Sequence, residues 1–101
     1  MIDVEKITNE VASEGAILFD VRRDEEWNTG HPAPAQRFEY ERFENGEFPQ
    51  VPKDTRIYLC CNSGGRAGRA KTLLEDAGFT NVENAQGIVQ WREAGGDVTT
   101  P

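Results

Sequence analysis

Apolar residues recur along the chain with two different spacings. Near the start they are separated by intervals of three and four, at Val4, Ile7 and Val11. This spacing predicts an amphipathic helix that Asp3 caps and that ends at Gly15. The run from 16 to 21 is instead apolar at every position except one, as in a strand whose two faces are both covered.

Helix and strand patterns continue to alternate along the rest of the chain. We predict a short helix over 24–27, a strand over 56–61, a helix over 67–77 ended by Gly78, a short strand over 79–82 and a last helix over 88–93. Between 36 and 53 the pattern predicts only a strand near 37–39 and a short helix around 40–45. Such alternation predicts an α/β fold with a mostly parallel sheet, formed by residues 1–101 as one domain.

The balance of charges bears on the partners of the chain. Its 101 residues include 11 Lys and Arg against 18 Asp and Glu, a net charge of −7. Because polyanions bind through Lys and Arg, we expect neither nucleic acid nor an anionic membrane as a partner. The start of the chain is acidic, and the longest apolar runs, 16–19 and 57–61, are too short to span a bilayer. We therefore expect a cytoplasmic protein.

The charge is distributed unevenly along the sequence. Residues 55–74 contain four cations and no acid, so this segment carries +4 and the remaining 81 residues carry −11. The cations are Arg56, Arg66, Arg69 and Lys71. The segment also contains both cysteines, Cys60 and Cys61. Adjacent cysteines are poorly placed for a disulfide, so we expect two free thiols.

Candidate chemistry is concentrated where the second strand ends. In parallel α/β folds ligands bind at the carboxyl ends of the strands, and a Cys there lies near a helix N-terminus whose N–H groups stabilise the reactive thiolate. Gly64 and Gly65 allow the backbone to direct several N–H groups inward, and Arg66 adds donors for an oxyanion. Since neighbours in a strand face opposite sides, we expect Cys60 to be a core residue and Cys61 to be the nucleophile.

Three motifs in order resemble the single-domain rhodanese (sulfurtransferase) family over nearly the whole chain. The first comprises Asp20-Val21-Arg22, Glu26-Trp27 and Gly30-His31, the second is the loop Cys61-Asn62-Ser63-Gly64-Gly65-Arg66, and the third comprises residues 77–82 and 87–91. The chain departs from the family pattern at Pro32, at Ala67 and at Gln86, which replaces the first Gly of a common Gly-Gly pair.

The resemblance implies a three-layer domain, with a mostly parallel central sheet flanked by helices, and a thiosulfate sulfurtransferase activity. Cys61 would take the outer sulfur of thiosulfate as a persulfide and pass it to cyanide or a thiol. The residues that would bind the substrate are Asn62, Ser63, Gly64, Gly65 and Arg66. No metal or organic cofactor is implied. The partners would be a small sulfur donor and a thiol acceptor, including a thioredoxin-like or other sulfur-acceptor protein.

Four residues outside the loop receive structural interpretations. We expect Asp20 and Arg22 to form an ion pair or turn bond, since both are at a strand end. His31 follows as the only histidine, but a thiolate stabilised by its loop needs no general base, so we do not assign it a catalytic role. Trp91 is expected to anchor the last helix in the core.

Other functions remain open at this point. Counted from Cys60, the segment reads Cys-x5-Arg, the loop length of Cys-dependent phosphatases and arsenate reductases, although no His precedes Cys60. A non-catalytic rhodanese-like binding module is another alternative, but such modules usually lack the nucleophile. The vicinal cysteines also permit a redox variant in which Cys60 resolves an oxidised or persulfidated Cys61.

Overall fold

A four-stranded parallel sheet lies at the centre of the computed structural model, which describes residues 2–101. The strands are β1 (Ile17–Asp20), β2 (His31–Pro32), β3 (Gln36–Arg37), β4 (Ile57–Cys61), β5 (Val82–Gly87) and β6 (Val98–Thr99). The central sheet has the order β3-β1-β4-β5 with every pairing parallel, while β2 and β6 form a small antiparallel pair. The α/β fold with a mostly parallel sheet is therefore confirmed.

Within residues 2–101, five helices flank the sheet. They are α1 (Val4–Ser13), α2 (Asp24–Asn28), α3 (Tyr40–Glu44), α4 (Gly65–Asp76) and α5 (Ile88–Glu93). Asp3 caps α1 as predicted, because its Oδ1 accepts a hydrogen bond of 3.0 Å from the backbone N–H of Lys6. α4 has 12 residues, and no helix within residues 2–101 is long and apolar enough to cross a membrane.

The strand predicted over 79–82 is misplaced, since β5 covers Val82–Gly87. The residues before it complete the end of α4: Gly78 has a φ of 98°, and the N–H of Phe79 donates to the carbonyl of Leu74 at 3.0 Å. As an edge strand, β5 contains polar residues, and these interrupt the apolar pattern that would have revealed it in the sequence: Glu83, Asn84 and Gln86. The pair β2 and β6 was not predicted, because a strand of two residues is too short to show an alternation of apolar and polar positions.

Each face of the sheet has its own hydrophobic core. Toward α3 and α4 the buried residues include Phe19, Phe43, Leu59, Cys61, Leu74 and Phe79. Toward α1 and α5 they include Ile7, Leu18, Tyr58, Cys60, Ile88 and Trp91. All five residues of β4 are buried, because this strand lies between β1 and β5 and is covered from both sides. The fold is thus three layers, and it separates the two cysteines onto opposite faces.

Candidate active site

Cys61 is the last residue of β4, and the chain then turns back over its side chain before α4 begins at Gly65. The backbone N–H of Gly64 donates to Cys61 Sγ over 3.1 Å. Gly64 has a φ of 111°, a left-handed conformation that glycine adopts without strain and that allows this reversal. A directed N–H group and the N-terminus of a 12-residue helix therefore both lie beside this sulfur.

Burial does not distinguish the two cysteines, since the side chains of Cys60 and Cys61 are each 2% exposed. The two cysteines differ instead in what surrounds them. Cys60 faces the α1 and α5 layer next to Asp20, its register partner on β1, and burial raises the pKa of the Cys60 thiol well above its usual value. The prediction that Cys60 is a core residue is confirmed. Both cysteines are free, as expected.

Arg66 is already engaged by a carboxylate that the sequence analysis did not assign to the site. Its Nη1 and Nη2 donate to the two carboxylate oxygens of Glu26 at 2.7 and 2.8 Å, a bidentate pair between α4 and α2. This hydrogen bonding holds the pKa of Glu26 at about 2. The Glu26-Trp27 motif could have drawn attention to Glu26 in the sequence, but nothing in the sequence indicates that Glu26 contacts Arg66.

A second ion pair, Arg23 with Glu41, lies beside the first. Arg23 Nε donates to Glu41 Oε2 at 2.8 Å, and the backbone N–H of Arg23 donates to Glu26 Oε1 at 3.3 Å. Two hydrogen bonds lower the pKa of Glu41: first the one from the backbone N–H of Glu41 itself, and then the one from the Arg23 side chain. Two arginines and two glutamates therefore balance each other in charge at the rim of the loop.

The local +4 charge of residues 55–74 in the sequence is largely offset in three dimensions by neighbouring carboxylates. Arg56 pairs with Glu83 of β5 at 2.8 Å, and Lys71 pairs at 2.9 Å with Glu75, which lies one turn further along α4. Within residues 2–101, Arg69 alone of the four cations has no carboxylate partner, and its guanidinium lies 5.5 Å from the ring centroid of Tyr40. The net charge of this segment in the sequence therefore overstates how positive the surroundings of the loop are.

The junction of β5 and α5 supports the loop from the side. A Cβ added to Gly87 would lie 2.2 Å from the backbone carbon and oxygen of Asn62, so only glycine allows this approach. The N–H of Val89 donates to the same Asn62 oxygen at 3.2 Å. Gln86 has a φ of 65°, which makes it the sole non-glycine residue with a positive φ among residues 2–101. The departure from the family at Gln86 therefore falls on a strained position.

Asp20 and Arg22 form the predicted ion pair, with 2.8 Å between Arg22 Nη2 and Asp20 Oδ2. Both side chains are almost fully buried, and Arg22 Nη2 also donates to the carbonyl of Gly30 at 2.7 Å. The pair thus ties the end of β1 to Gly30, which lies between α2 and β2.

The structure also shows where the two aromatic residues His31 and Trp91 lie. His31 is buried and stacks on Trp27 with 3.4 Å between ring centroids, which is a packing role. Trp91 is 1% exposed and donates from Nε1 to the carbonyl of Asp97 at 2.8 Å, so its prediction as a core anchor is confirmed. Across residues 2–101, no group of three or more Cys, His, Asp or Glu side chains is placed to hold a metal ion.

These features define a class: a three-layer α/β domain with a cysteine at the carboxyl end of a central strand and a glycine-containing loop folded over its sulfur. Residues 3–94 match the model of the family described as the Rhodanese-like domain, and the chain belongs to this family. The resemblance seen in the sequence is thereby confirmed.

Some relatives in sequence carry sulfurtransferase names. The chain is 33% identical over 71 residues to the thiosulfate sulfurtransferase PspE of Escherichia coli, covering 69% of this chain and 68% of that protein. It is 34% identical over 76 residues to the probable adenylyltransferase/sulfurtransferase MoeZ of Mycobacterium tuberculosis, covering 73% of this chain but 19% of that protein. Sulfurtransferase activity is supported at the level of the family.

Solved structures agree with the fold. A thiosulfate sulfurtransferase from Pseudomonas aeruginosa superposes with a TM-score of 0.83 at 28% identity, covering 96% of this chain and 19% of that one. The human single-domain sulfurtransferase TSTD1 superposes with a TM-score of 0.73 at 25% identity, covering 89% of this chain and 92% of that one. The three-layer rhodanese-like architecture is confirmed.

Proposed function

We propose that the protein is a thiosulfate sulfurtransferase that carries sulfur as a persulfide on Cys61. The observation that carries this proposal is the 3.1 Å hydrogen bond from the Gly64 N–H to Cys61 Sγ at the carboxyl end of β4. The thiolate is the nucleophilic form of cysteine, and an N–H group directed at the sulfur is a donor that a thiolate or persulfide anion accepts.

In the first half of the reaction, the Cys61 thiolate attacks the outer sulfur of thiosulfate. A new S–S bond forms between Cys61 and that sulfur, the S–S bond of thiosulfate breaks, and sulfite leaves with the electron pair. The persulfide that remains is anionic at its outer sulfur. The N–H groups of the loop stabilise it there, because they are donors fixed before the reaction begins.

In the second half, a nucleophile attacks the outer sulfur of the persulfide. Cyanide gives thiocyanate, and a thiolate acceptor gives its own persulfide; in both cases Cys61 leaves as the thiolate and is ready for another cycle. Small thiols and a thioredoxin-like or other sulfur-acceptor protein fit this role. The step requires neither a metal nor an organic cofactor.

The remaining loop residues bind the donor. Asn62, Ser63, Gly64 and Gly65 provide backbone N–H groups, and Arg66 contacts the oxyanion through donors that Glu26 leaves unused, since a guanidinium has five N–H groups and the ion pair engages two. Glu26 also limits how far the Arg66 guanidinium can rotate. Donor affinity therefore reflects competition between thiosulfate and this carboxylate.

The phosphatase or arsenate reductase alternative uses Cys60, and its position argues against this role. Cys60 faces the α1 and α5 layer, whereas Arg66 is on α4 across the sheet, and burial favours the neutral Cys60 thiol. The non-catalytic alternative is weakened because Cys61 is present and its sulfur is hydrogen bonded. We retain both as outcomes of the experiment below.

The proposal extends to the setting of the protein. Two free thiols suit a reducing compartment, so we propose the cytoplasm. Residues 1–101 would act as one domain. The net charge of −7 leaves small anions and thiols, rather than nucleic acid or membranes, as the proposed partners.

The test is thiocyanate formation from thiosulfate and cyanide by the wild type, Cys61→Ser and Cys60→Ser. We expect turnover in the wild type and in Cys60→Ser, and none above background in Cys61→Ser. Activity that survives in Cys61→Ser would overturn the proposal. Hydrolysis of p-nitrophenyl phosphate that is lost in Cys60→Ser would instead establish the phosphatase alternative, and a folded wild type inactive in both assays would indicate a binding module.

A further inference from the structure

Asn84 lies on β5, outside the loop motif, yet its side chain contacts the loop. Its Nδ2 donates to the carbonyl of Gly64 at 3.0 Å, and its Oδ1 accepts from the backbone N–H of Gln86 at 2.7 Å. The second contact determines the orientation of the amide, because an N–H donor requires the oxygen to face it. The NH2 group must therefore face Gly64.

Two glycines on α4 and its cap make room for this side chain. A Cβ on Gly68 would lie 3.3 Å from Asn84 Nδ2, and a Cβ on Gly64 would lie 3.7 Å from both Asn84 Nδ2 and Oδ1. Gly64 and Gly68 are separated by one helical turn, and the N–H of Gly68 donates to the carbonyl of Gly64 at 2.9 Å. The Gly64 carbonyl thus receives one hydrogen bond from the helix and one from β5.

The peptide unit that Asn84 contacts also contains the N–H of Gly65. In a planar trans peptide the C=O and N–H groups point in opposite directions, and this bond is trans. Because the Gly64 carbonyl is held toward both the Gly68 N–H and the Asn84 amide, the Gly65 N–H at the other side of the peptide is directed away from α4 and β5. As the first residue of α4, Gly65 has no acceptor for this N–H within the helix, and it has no other backbone acceptor among residues 2–101, so the group is available to an anion.

We propose that Asn84 is a positioning residue for sulfur transfer, which fixes the Gly64–Gly65 peptide so that the Gly65 N–H joins the Gly64 N–H in holding an anion beside Cys61. This inference rests on the proposed function for its role in turnover. It predicts in addition that the loop recognises any small anion less well when Asn84 loses its amide. The latter effect is measurable without sulfur transfer.

The test uses Asn84→Leu, which keeps the shape of the side chain but removes both hydrogen bonds. Asn84→Ser is the second variant, since a hydroxyl still accepts from Gln86 but is too short to reach Gly64. The matched control is Asn81→Leu, because the Asn81 amide binds Arg56 at the opposite end of the sheet, with 2.8 Å between Arg56 Nη1 and Asn81 Oδ1. All are compared with the wild type by thermal unfolding first.

Two rates are then measured for each folded variant. The first is kcat/KM for thiosulfate, which we expect to fall about fivefold in both Asn84 variants, the effect of one hydrogen bond. The second is the ratio of Cys61 alkylation rates by iodoacetate and iodoacetamide, measured in a Cys60→Ser background. Both reagents attack the same thiolate and differ in charge, so the ratio reports recognition of the anion. We expect this ratio to fall about threefold in the Asn84 variants and to stay constant in Asn81→Leu.

Two results would overturn the inference: an unchanged alkylation ratio in folded Asn84→Leu and Asn84→Ser, or an equal decrease in Asn81→Leu. If the first of these results came with a lower melting temperature, it would assign Asn84 a structural role only. A wild type that forms no thiocyanate would refute the proposed function, but the alkylation ratio would still decide whether Asn84 positions the loop.

Discussion

Two groups of similar composition lie on opposite sides of the carboxyl end of β4. On one side are Cys60 and the ion pair of Asp20 with Arg22, and on the other are Cys61 and the ion pair of Glu26 with Arg66. Each group contains a thiol, a guanidinium and a carboxylate. Their surroundings differ: the Arg22 and Asp20 side chains are 4% and 0% exposed, whereas those of Arg66 and Glu26 are 26% and 33% exposed.

The difference teaches that the solvent exposure of the ion pair and the backbone around the sulfur, rather than the types of side chain or the burial of the cysteine, separate a structural group from a candidate reactive one. Around Cys60, burial favours the neutral thiol, and all contacts of Arg22 are internal to the fold. Around Cys61, a loop N–H faces the sulfur and the arginine is accessible to solvent. The predictions below alter one group at a time.

Arg22→Ala should give the largest change in stability. It leaves the fully buried Asp20 carboxylate without its cation, which we expect to lower the free energy of unfolding by about 3–5 kcal/mol. Arg23→Ala is the matched control, because the Arg23 side chain is 61% exposed, and its loss of stability should be far smaller than that of Arg22→Ala. Urea unfolding measures both, and equal losses would contradict the assignment of Arg22 as structural.

Arg66→Ala should instead change function. We expect KM for thiosulfate to rise about tenfold, because a charged donor to the oxyanion is lost, while iodoacetamide still alkylates Cys61. Glu26→Gln should act in the opposite direction and lower KM a few fold, since the neutral amide competes less with thiosulfate for Arg66. Steady-state kinetics at several thiosulfate concentrations measure both, and an unchanged KM in Arg66→Ala would remove Arg66 from the donor site.

The Glu26 and Arg66 pair should also leave a signature in acid. The pKa of Glu26 is about 2 in the folded protein, below the value of about 4.3 for a free Glu, so the pair contributes stability above about pH 4.3 that is lost as pH falls toward about 2. The stability difference between wild type and Glu26→Gln should therefore be constant near neutral pH and shrink over this range. Urea unfolding at several pH values tests this, and a difference independent of pH would contradict it.

Gln86→Gly should have the smallest effect and the opposite sign. Gln86 has a φ of 65°, which costs a side chain about 1–2 kcal/mol but not glycine, and glycine in turn loses more backbone entropy on folding. We expect a net gain in stability of about 0.5 kcal/mol. Gln90→Gly, within α5, is the control and should lose about 1 kcal/mol. Thermal unfolding compares the two, and a loss in Gln86→Gly would indicate that its side chain stabilises the turn.

Much of the fold was predictable because its main elements have strong local patterns. The cap at Asp3, the apolar run that becomes β4 and the glycine that ends α4 all act over a few residues. The edge strand β5 was misplaced because polar residues occupy it and Phe79, which looks like its start, completes the end of α4. Local sequence pattern does not distinguish a buried turn from a short strand.

The candidate site was predictable at Cys61 and its loop but not in its supports. The contact of Glu26 with Arg66 joins residues 40 positions apart, and that of Asn84 with Gly64 joins residues 20 apart. The same limit applies to the +4 charge of residues 55–74, because Arg56 from this segment pairs with Glu83 on β5. Contacts of this kind depend on topology, which periodicity alone does not specify.

Mass spectrometry of the thiosulfate-treated protein tests the central claim most directly. The wild type and Cys60→Ser are incubated with thiosulfate in the absence of an acceptor, freed of excess reagent and analysed intact and after fragmentation, with Cys61→Ser as the control. We predict one added sulfur atom on Cys61 in the first two proteins, removed by cyanide, and none in Cys61→Ser. Added sulfur on Cys60, or in Cys61→Ser, would contradict the account.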